Sequence, residues 1–160
     1  MKVLIIDDSA LVRERIARML SEVTTVAAVA GAADWGQALE MLRSLDPDLV
    51  ILDLNLAGRS GLDLLPQLKS KKPAPLVIVF TNHSGPEYAN RCRELGADFF
   101  FDKSTEFELA FEVLRAARAW MTIESRGVGQ KPTSSAAHSP TPQSVSRRYR
   151  GTVKSRKTSS

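Results

Sequence analysis

The stretch "DLVILDLNLAGRSGLDLL", residues 48–65, decides the fold. Four consecutive aliphatic residues lie between Asp48 and Asp53, without the polar alternation of a half-exposed strand. The run reads as a strand buried on both faces, as in a parallel sheet. Asp53 sits inside this apolar run, where a charge is costly unless it is paired or liganded. Residues 60–70 follow with a helical period.

The same unit repeats along the chain. "KVLII" (2–6), "TVAAVA" (25–30), "PLVIVF" (75–80) and "DFFF" (98–101) read as further buried strands. Between them, Val12, Ile16, Met19, Leu20 and Val23 form one apolar helical stripe, and Phe107, Ala110, Phe111, Leu114 and Ala117 form another. Residues 34–45 and 86–95 complete the helices. Pro86 suits a first helical position and Gly96 a position just past the end. Thr105 and Glu108 stand at capping-box spacing before the last helix. Strict β-α alternation predicts an α/β class protein: a doubly wound, five-stranded parallel sheet with five flanking helices. Its ligand site is expected at the carboxyl ends of the strands.

Charge divides the chain. Residues 1–120 hold 14 Lys/Arg against 17 Asp/Glu, whereas residues 121–160 hold 8 against 1, so the net +4 belongs to the C-terminal part. Residues 1–121 are expected to fold as one domain. Residues 122–160, basic and rich in Ser, Thr and Pro, have too little apolar surface to offset their ordering entropy and are expected to be disordered. A basic arm suits nucleic acid, anionic lipid or an acidic protein, and its composition singles out none of them. The single Cys92, on the stripe Tyr88, Cys92 and Leu95, reads as packing and favours a reducing compartment. Every apolar run is strand-length, and acids appear by residue 7. A soluble, cytoplasmic protein is therefore expected.

The strand ends carry the chemistry: Asp7 and Asp8 after the first, Asp53 on the third, Thr81 after the fourth and Lys103 after the fifth. Three carboxylates on one rim repel each other unless a cation is present. An all-oxygen set without His or Cys suits Mg2+. A lysine and a hydroxyl facing that ion are what a phosphoryl group requires, and the central Asp53 can be the nucleophile that receives it. Asp7 and Asp8 also suit the N-cap of the first helix.

In this order and spacing, "LIIDDSALVR", "DLVILDLNLAGRSGLDLL", "VIVFTNHS" and "GADFFFDKS" resemble the receiver domain of two-component response regulators, over about residues 1–120. The resemblance implies a flavodoxin-like strand order, 2-1-3-4-5, and a phosphorelay role. It makes Asp53 the phosphoacceptor and Asp8 a direct Mg2+ ligand, with Asp7 acting beside it largely through water. Asn55 would offer its backbone carbonyl to the metal, Thr81 a hydrogen bond to the phosphoryl group, and Lys103 an ion pair. Phe100 falls at the switch aromatic. The implied partners are a sensor histidine kinase or phosphotransfer protein and a downstream protein on the face of helix 4, strand 5 and helix 5.

Departures from the family pattern are local. Ser104 follows Lys103 where proline, in a cis peptide, is usual; Ala57 stands where proline is common, with Gly61 at its usual distance. Asn82 and His83 follow Thr81, and Asn82, bulkier than the usual small residue, is expected to narrow the path of water to the phosphoryl group. About 40 residues follow the matching region, without helix-turn-helix patterning. This favours a stand-alone switch that works by protein contact, without direct nucleic-acid binding by the folded domain and without enzymatic activity beyond its own phosphotransfer and dephosphorylation. Two other readings are a receiver-shaped binding module that is never phosphorylated, and a phosphohydrolase with an aspartyl nucleophile. The latter is weakened by Asn55, which stands where a second catalytic acid is needed.

Overall fold

The computed structural model of the chain describes residues 1–83 and 85–125. Five strands, β1 (Lys2–Ile6), β2 (Ala28–Ala32), β3 (Leu49–Leu52), β4 (Leu76–Thr81) and β5 (Phe99–Asp102), alternate with α1 (Ala10–Ser21), α2 (Trp35–Ser44), α3 (Leu65–Ser70), α4 (Pro86–Glu94) and α5 (Phe107–Ser125). All neighbouring strands of this sheet are parallel, in the order β2-β1-β3-β4-β5. This is the flavodoxin-like order. Chain direction across the sheet reverses between β1 and β3, so the crevice at their carboxyl ends is where such a fold binds.

The central strands are as buried as their composition predicts: Val3 to Ile6, Leu49 to Leu52 and Val77 to Phe80 are all buried. Each such side chain contributes roughly 1.5–3 kcal/mol by leaving water. One face of the sheet packs Ile6, Val50, Leu52 and Val79 against Ala38 and Leu42 of α2, Leu68 of α3 and Cys92 of α4. On the other face, Ile51, Ile78 and Phe80 meet Ile16 and Met19 of α1 and Phe107, Phe111 and Leu114 of α5. Cys92 is buried and free, and burial pushes its thiol up to about 11, as suits packing.

The edge strands correct the sequence reading. β2 begins at Ala28 rather than Thr25, because Val26 donates to the Val23 carbonyl in a turn and Ala27 donates to Met1. It alternates in exposure, with Val29 37% exposed, because an edge strand has cover on one side only. In β5, Phe99 and Phe101 are buried while Phe100 is half-buried.

Helix boundaries also shift. The helix expected over 60–70 is a 3-10 turn, Gly61–Leu64, followed by the short α3. Pro66 has no N–H to continue an α-helical ladder, and Leu65 instead donates back to Leu62. Before it, Asn55–Leu56 pairs antiparallel with Arg59–Ser60 around Gly58, whose φ is +90°. α1 is capped by Ser9, whose side chain accepts from Val12 N, and not by Asp7 or Asp8. α5 starts two residues after Thr105, with the Glu106 carbonyl accepting from Ala110 N, so the cap falls on Glu106.

At the rim opposite the carboxyl ends, Lys69 pairs with Asp98 at 2.5 Å, and Asp98 also accepts from Val77 N at 2.7 Å. α5 runs to Ser125, beyond the expected boundary at 121. The remainder of the basic segment, 126–160, for which disorder was expected, lies outside the described residues. No helix among the described residues is long and apolar enough to cross a membrane.

Candidate functional site

Strands β1, β3, β4 and β5 deliver their terminal polar groups to the same rim. Asp7 follows β1 and is 2% exposed. Its amide donates to the Ala32 carbonyl, its carbonyl accepts from the Arg13 guanidinium at 2.7 Å, and its Oδ1 accepts from Ser9 N at 2.9 Å. Asp53 follows β3 and is 5% exposed. Its amide donates to Ile6, and its Oδ1 accepts from Asn55 N at 3.2 Å. From the end of β5, the Lys103 ammonium reaches both acids, 2.6 Å from Asp53 Oδ2 and 2.5 Å from Asp7 Oδ2. Asp8 is exposed, and one carboxylate oxygen from each of Asp7, Asp8 and Asp53 lies within 4.8 Å of the others.

Thr81, fully buried at the end of β4, joins the same rim: its carbonyl accepts from Lys103 N at 3.0 Å and its Oγ1 from His83 N at 3.2 Å. Asn82 and His83 are exposed, and the His83 ring lies 5.4 Å from that of Tyr88 on α4. The side chain of Asn55 is exposed beside Asp53. Phe100 packs against the α2–α3–α4 side of the core.

Burial raises the carboxyl of Asp7 above its ordinary value, against the hydrogen bonds from Lys103 and Ser9 and the Lys103 charge, while the charge of Asp53 adds to the rise. Burial of Lys103 works against its charged form, but its hydrogen bonds and charge attraction to Asp53 and Asp7 prevail and hold the ammonium above its ordinary range. An isolated ion pair would pull its acid down. Here one ammonium is shared by two carboxylates: burial outweighs its pull at Asp7, the two acids outweigh burial at Lys103, and so Asp7 and Lys103 each hold their proton more tightly.

The linkage follows. Lys103 stabilises the fold fully below its unfolded value of 10.5 and loses that contribution as pH rises through its raised folded value. For Asp7 the ionised form is the unfavourable one, so the fold gains as pH falls through its raised value toward 3.8. Without divalent cations, Asp7→Asn is expected to raise the melting temperature at neutral pH by a few degrees, with the gain shrinking as the pH is lowered. Thermal melts across pH check this.

The donor set fits a hard divalent ion: oxygens only, two buried carboxylates and one exposed, with surplus negative charge. Asp7, Asp8 and Asp53 are the residues that would hold it.

Three supports of the site escape a reading of strand ends. Ser9 and Arg13 hold Asp7; the serine is visible as a cap signature, while the arginine carries no sequence signal. Gly61 lies against the backbone of Asp53: its amide donates to Leu54, and a Cβ there would come 2.3 Å from the Asp53 carbonyl oxygen. Asp102, at the end of β5, is half-buried; its Oδ1 accepts from Ser104 N at 2.7 Å and also from Ser104 Oγ. The Lys103–Ser104 peptide is trans.

Comparison with known proteins agrees with this geometry. The family model of the response regulator receiver domain matches residues 3–115. The nitrate/nitrite response regulator protein NarL of Escherichia coli (strain K12) is 32% identical over 126 residues, covering 79% of this chain and 58% of NarL. The protein-glutamate methylesterase/protein-glutamine glutaminase 1 of Caulobacter vibrioides is 33% identical over 139 residues, covering 83% of this chain and 40% of the relative. This chain thus spans less than two thirds of either relative. Among solved structures, the signal receiver domain of a NarL from Mycobacterium tuberculosis superposes with a TM-score of 0.63 at 30% identity, over 73% of this chain and 95% of that one. A CheY-like receiver domain from Methanospirillum hungatei shares the fold, with a TM-score of 0.69 at 21% identity over 77% and 97% of the two chains. The sheet order, the acidic crevice with its paired lysine and the match over residues 3–115 place this chain in the response regulator receiver domain family of two-component systems.

Proposed function

We propose that the chain is a phosphorylation-driven switch whose acceptor is Asp53. The observation that carries this reading is the Lys103 ammonium, 2.6 Å from Asp53 Oδ2 and 2.5 Å from Asp7 Oδ2, at the junction of strands β1, β3 and β5. A half-buried cation shared by two acids is a counter-charge already in place for a more negative group.

In this scheme the donor is a phosphohistidine of a kinase or phosphotransfer protein, or a small acyl phosphate. A lone pair of an Asp53 carboxylate oxygen forms the new O–P bond, and the P–N or P–O bond to the donor breaks. The leaving imidazole takes a proton from solvent, whereas acetate leaves as the anion. Asp7, Asp8 and Asp53, with the Asn55 carbonyl as a further candidate, would hold Mg2+, which would supply positive charge to the phosphoryl oxygens. Lys103 supplies a fixed positive charge, and Ser9 and Arg13 keep Asp7 oriented. Thr81 offers its hydroxyl to the phosphoryl group once it leaves His83 N.

The output we propose is contact with a partner protein through α4, β5 and α5, with Phe100 as its switch aromatic. Its support is a continuous path: Thr81 Oγ1 accepts from His83 N, and the His83 ring lies against Tyr88, which is 42% exposed on α4. A hydroxyl drawn toward Asp53 thereby disturbs an aromatic on the surface.

Incubation with acetyl phosphate and Mg2+, followed by intact mass, tests the acceptor. One phosphoryl adduct is expected on the wild type and none on Asp53→Ala. An unmodified wild type, or an adduct that persists in the variant, overturns the assignment.

A further inference from the structure

The lysine that serves the site leaves the sheet on a turn closed from both sides. Lys103 N donates to the Thr81 carbonyl, which fixes its backbone on β4. One residue earlier, Asp102 engages the next four residues through its amide, its carbonyl and its Oδ1. Its amide donates to Glu106 Oε2 at 2.9 Å and its carbonyl accepts from Glu106 N at 2.9 Å. Its Oδ1 accepts from both the amide and the hydroxyl of Ser104. Residues 102–106 thus form a ring of hydrogen bonds around Lys103.

Two consequences follow from that ring. First, the stem of Lys103 starts from a backbone held on three sides, and this limits where its ammonium can swing. Second, Asp102 is the acid adjacent to Lys103 in sequence. Its Oδ1, engaged by two Ser104 donors, ties that acid to the turn from which Lys103 projects. We propose that Asp102 and Ser104 are positioning residues: the Asp102 carboxylate, clasped by the amide and hydroxyl of Ser104, fixes the turn that aims Lys103 at Asp53 and Asp7. The part of this concerning phosphoryl uptake rests on Asp53 being the acceptor; the part concerning Lys103 does not.

The test compares Asp102→Ala with Asp102→Asn. Asparagine removes the charge but keeps an oxygen that accepts both Ser104 donors, whereas alanine removes the acceptor. Uptake of phosphoryl from acetyl phosphate is expected to slow about tenfold in Asp102→Ala and to stay within about threefold of wild type in Asp102→Asn. Ser104→Ala is expected to add nothing further when combined with Asp102→Ala, since the bond it deletes is already lost.

The second readout is solvent exchange of the Lys103 ammonium by NMR, its signal assigned by loss in Lys103→Met. Protection is expected in the wild type and Asp102→Asn, and fast exchange in Asp102→Ala. A merely structural role would lower melting temperature without separating asparagine from alanine in this readout. Wild-type ammonium protection in Asp102→Ala overturns the proposal, as does equal loss in the two variants. If the wild type takes up no phosphoryl group, the acceptor assignment fails, and ammonium exchange alone still decides whether the clasp holds Lys103.

Discussion

Replacing Lys103 with methionine is expected to slow phosphorylation of Asp53 by about 10²–10³-fold, the usual loss when one preorganised charge donor leaves a transition state. The same change is expected to weaken the fold. Asp7 and Asp53 would remain buried, 2% and 5% exposed, with no cation between them. Stripping one partner from such a buried pair costs about 3 kcal/mol or more. The loss should be largest at neutral pH in chelator. It should recover in part when acid protonates Asp7 or when Mg2+ is added, because either restores the missing positive charge. Lys103→Arg separates charge from placement: a longer, planar cation restores more of the stability than of the rate. Urea melts and the time course of the adduct measure the two effects. A methionine variant that is phosphorylated at the wild-type rate would contradict the role given to Lys103.

Gly61→Ala is the second large effect. Its new Cβ would stand 2.3 Å from the Asp53 carbonyl oxygen and 2.9 Å from Leu54 Cα. Both are backbone atoms, so relief requires the end of β3 or the turn itself to move. A cost of about 3 kcal/mol is expected from such overpacking, and a displaced acceptor should also lower the phosphorylation rate about tenfold or more. Gly58→Ala is the control. Gly58 has φ of +90° with no atom near a prospective Cβ, so its change strains the backbone without pressing on Asp53. Stability is expected to fall modestly and the rate to hold. Equal rate losses in the two variants would show that loop strain, not contact with Asp53, matters at Gly61.

How legible this was from sequence depends on the kind of signal. Asp53 stood out because an acid directly after a buried apolar run needs a partner, and Lys103 is one. The central strands were legible because they are buried on both faces. β2 and β5 were misread in part, since an apolar run does not reveal that it lies at an edge. The helix caps fell one or two residues past the acids or hydroxyl the sequence pointed to: Ser9 rather than Asp7 or Asp8, and Glu106 rather than Thr105. The alignment of the rim was inferable from β-α alternation, but the sharing of one ammonium between Asp7 and Asp53 was not. That sharing depends on strand register and on the path of the turn after β5. Arg13, six residues from the carbonyl it holds, lies beyond any local pattern.

The buried pair of Asp53 and Lys103 joins residues 50 positions apart, and Lys103 also reaches back to Asp7 at the first strand. Closing chain segments of that length costs entropy that local helix formation does not recover, so these contacts form only when the last strand docks. A nascent or partly unfolded chain therefore carries the aspartate without the charge that equips it. With Asp53 as the proposed acceptor, competence to take up a phosphoryl group would then be a readout of completed folding.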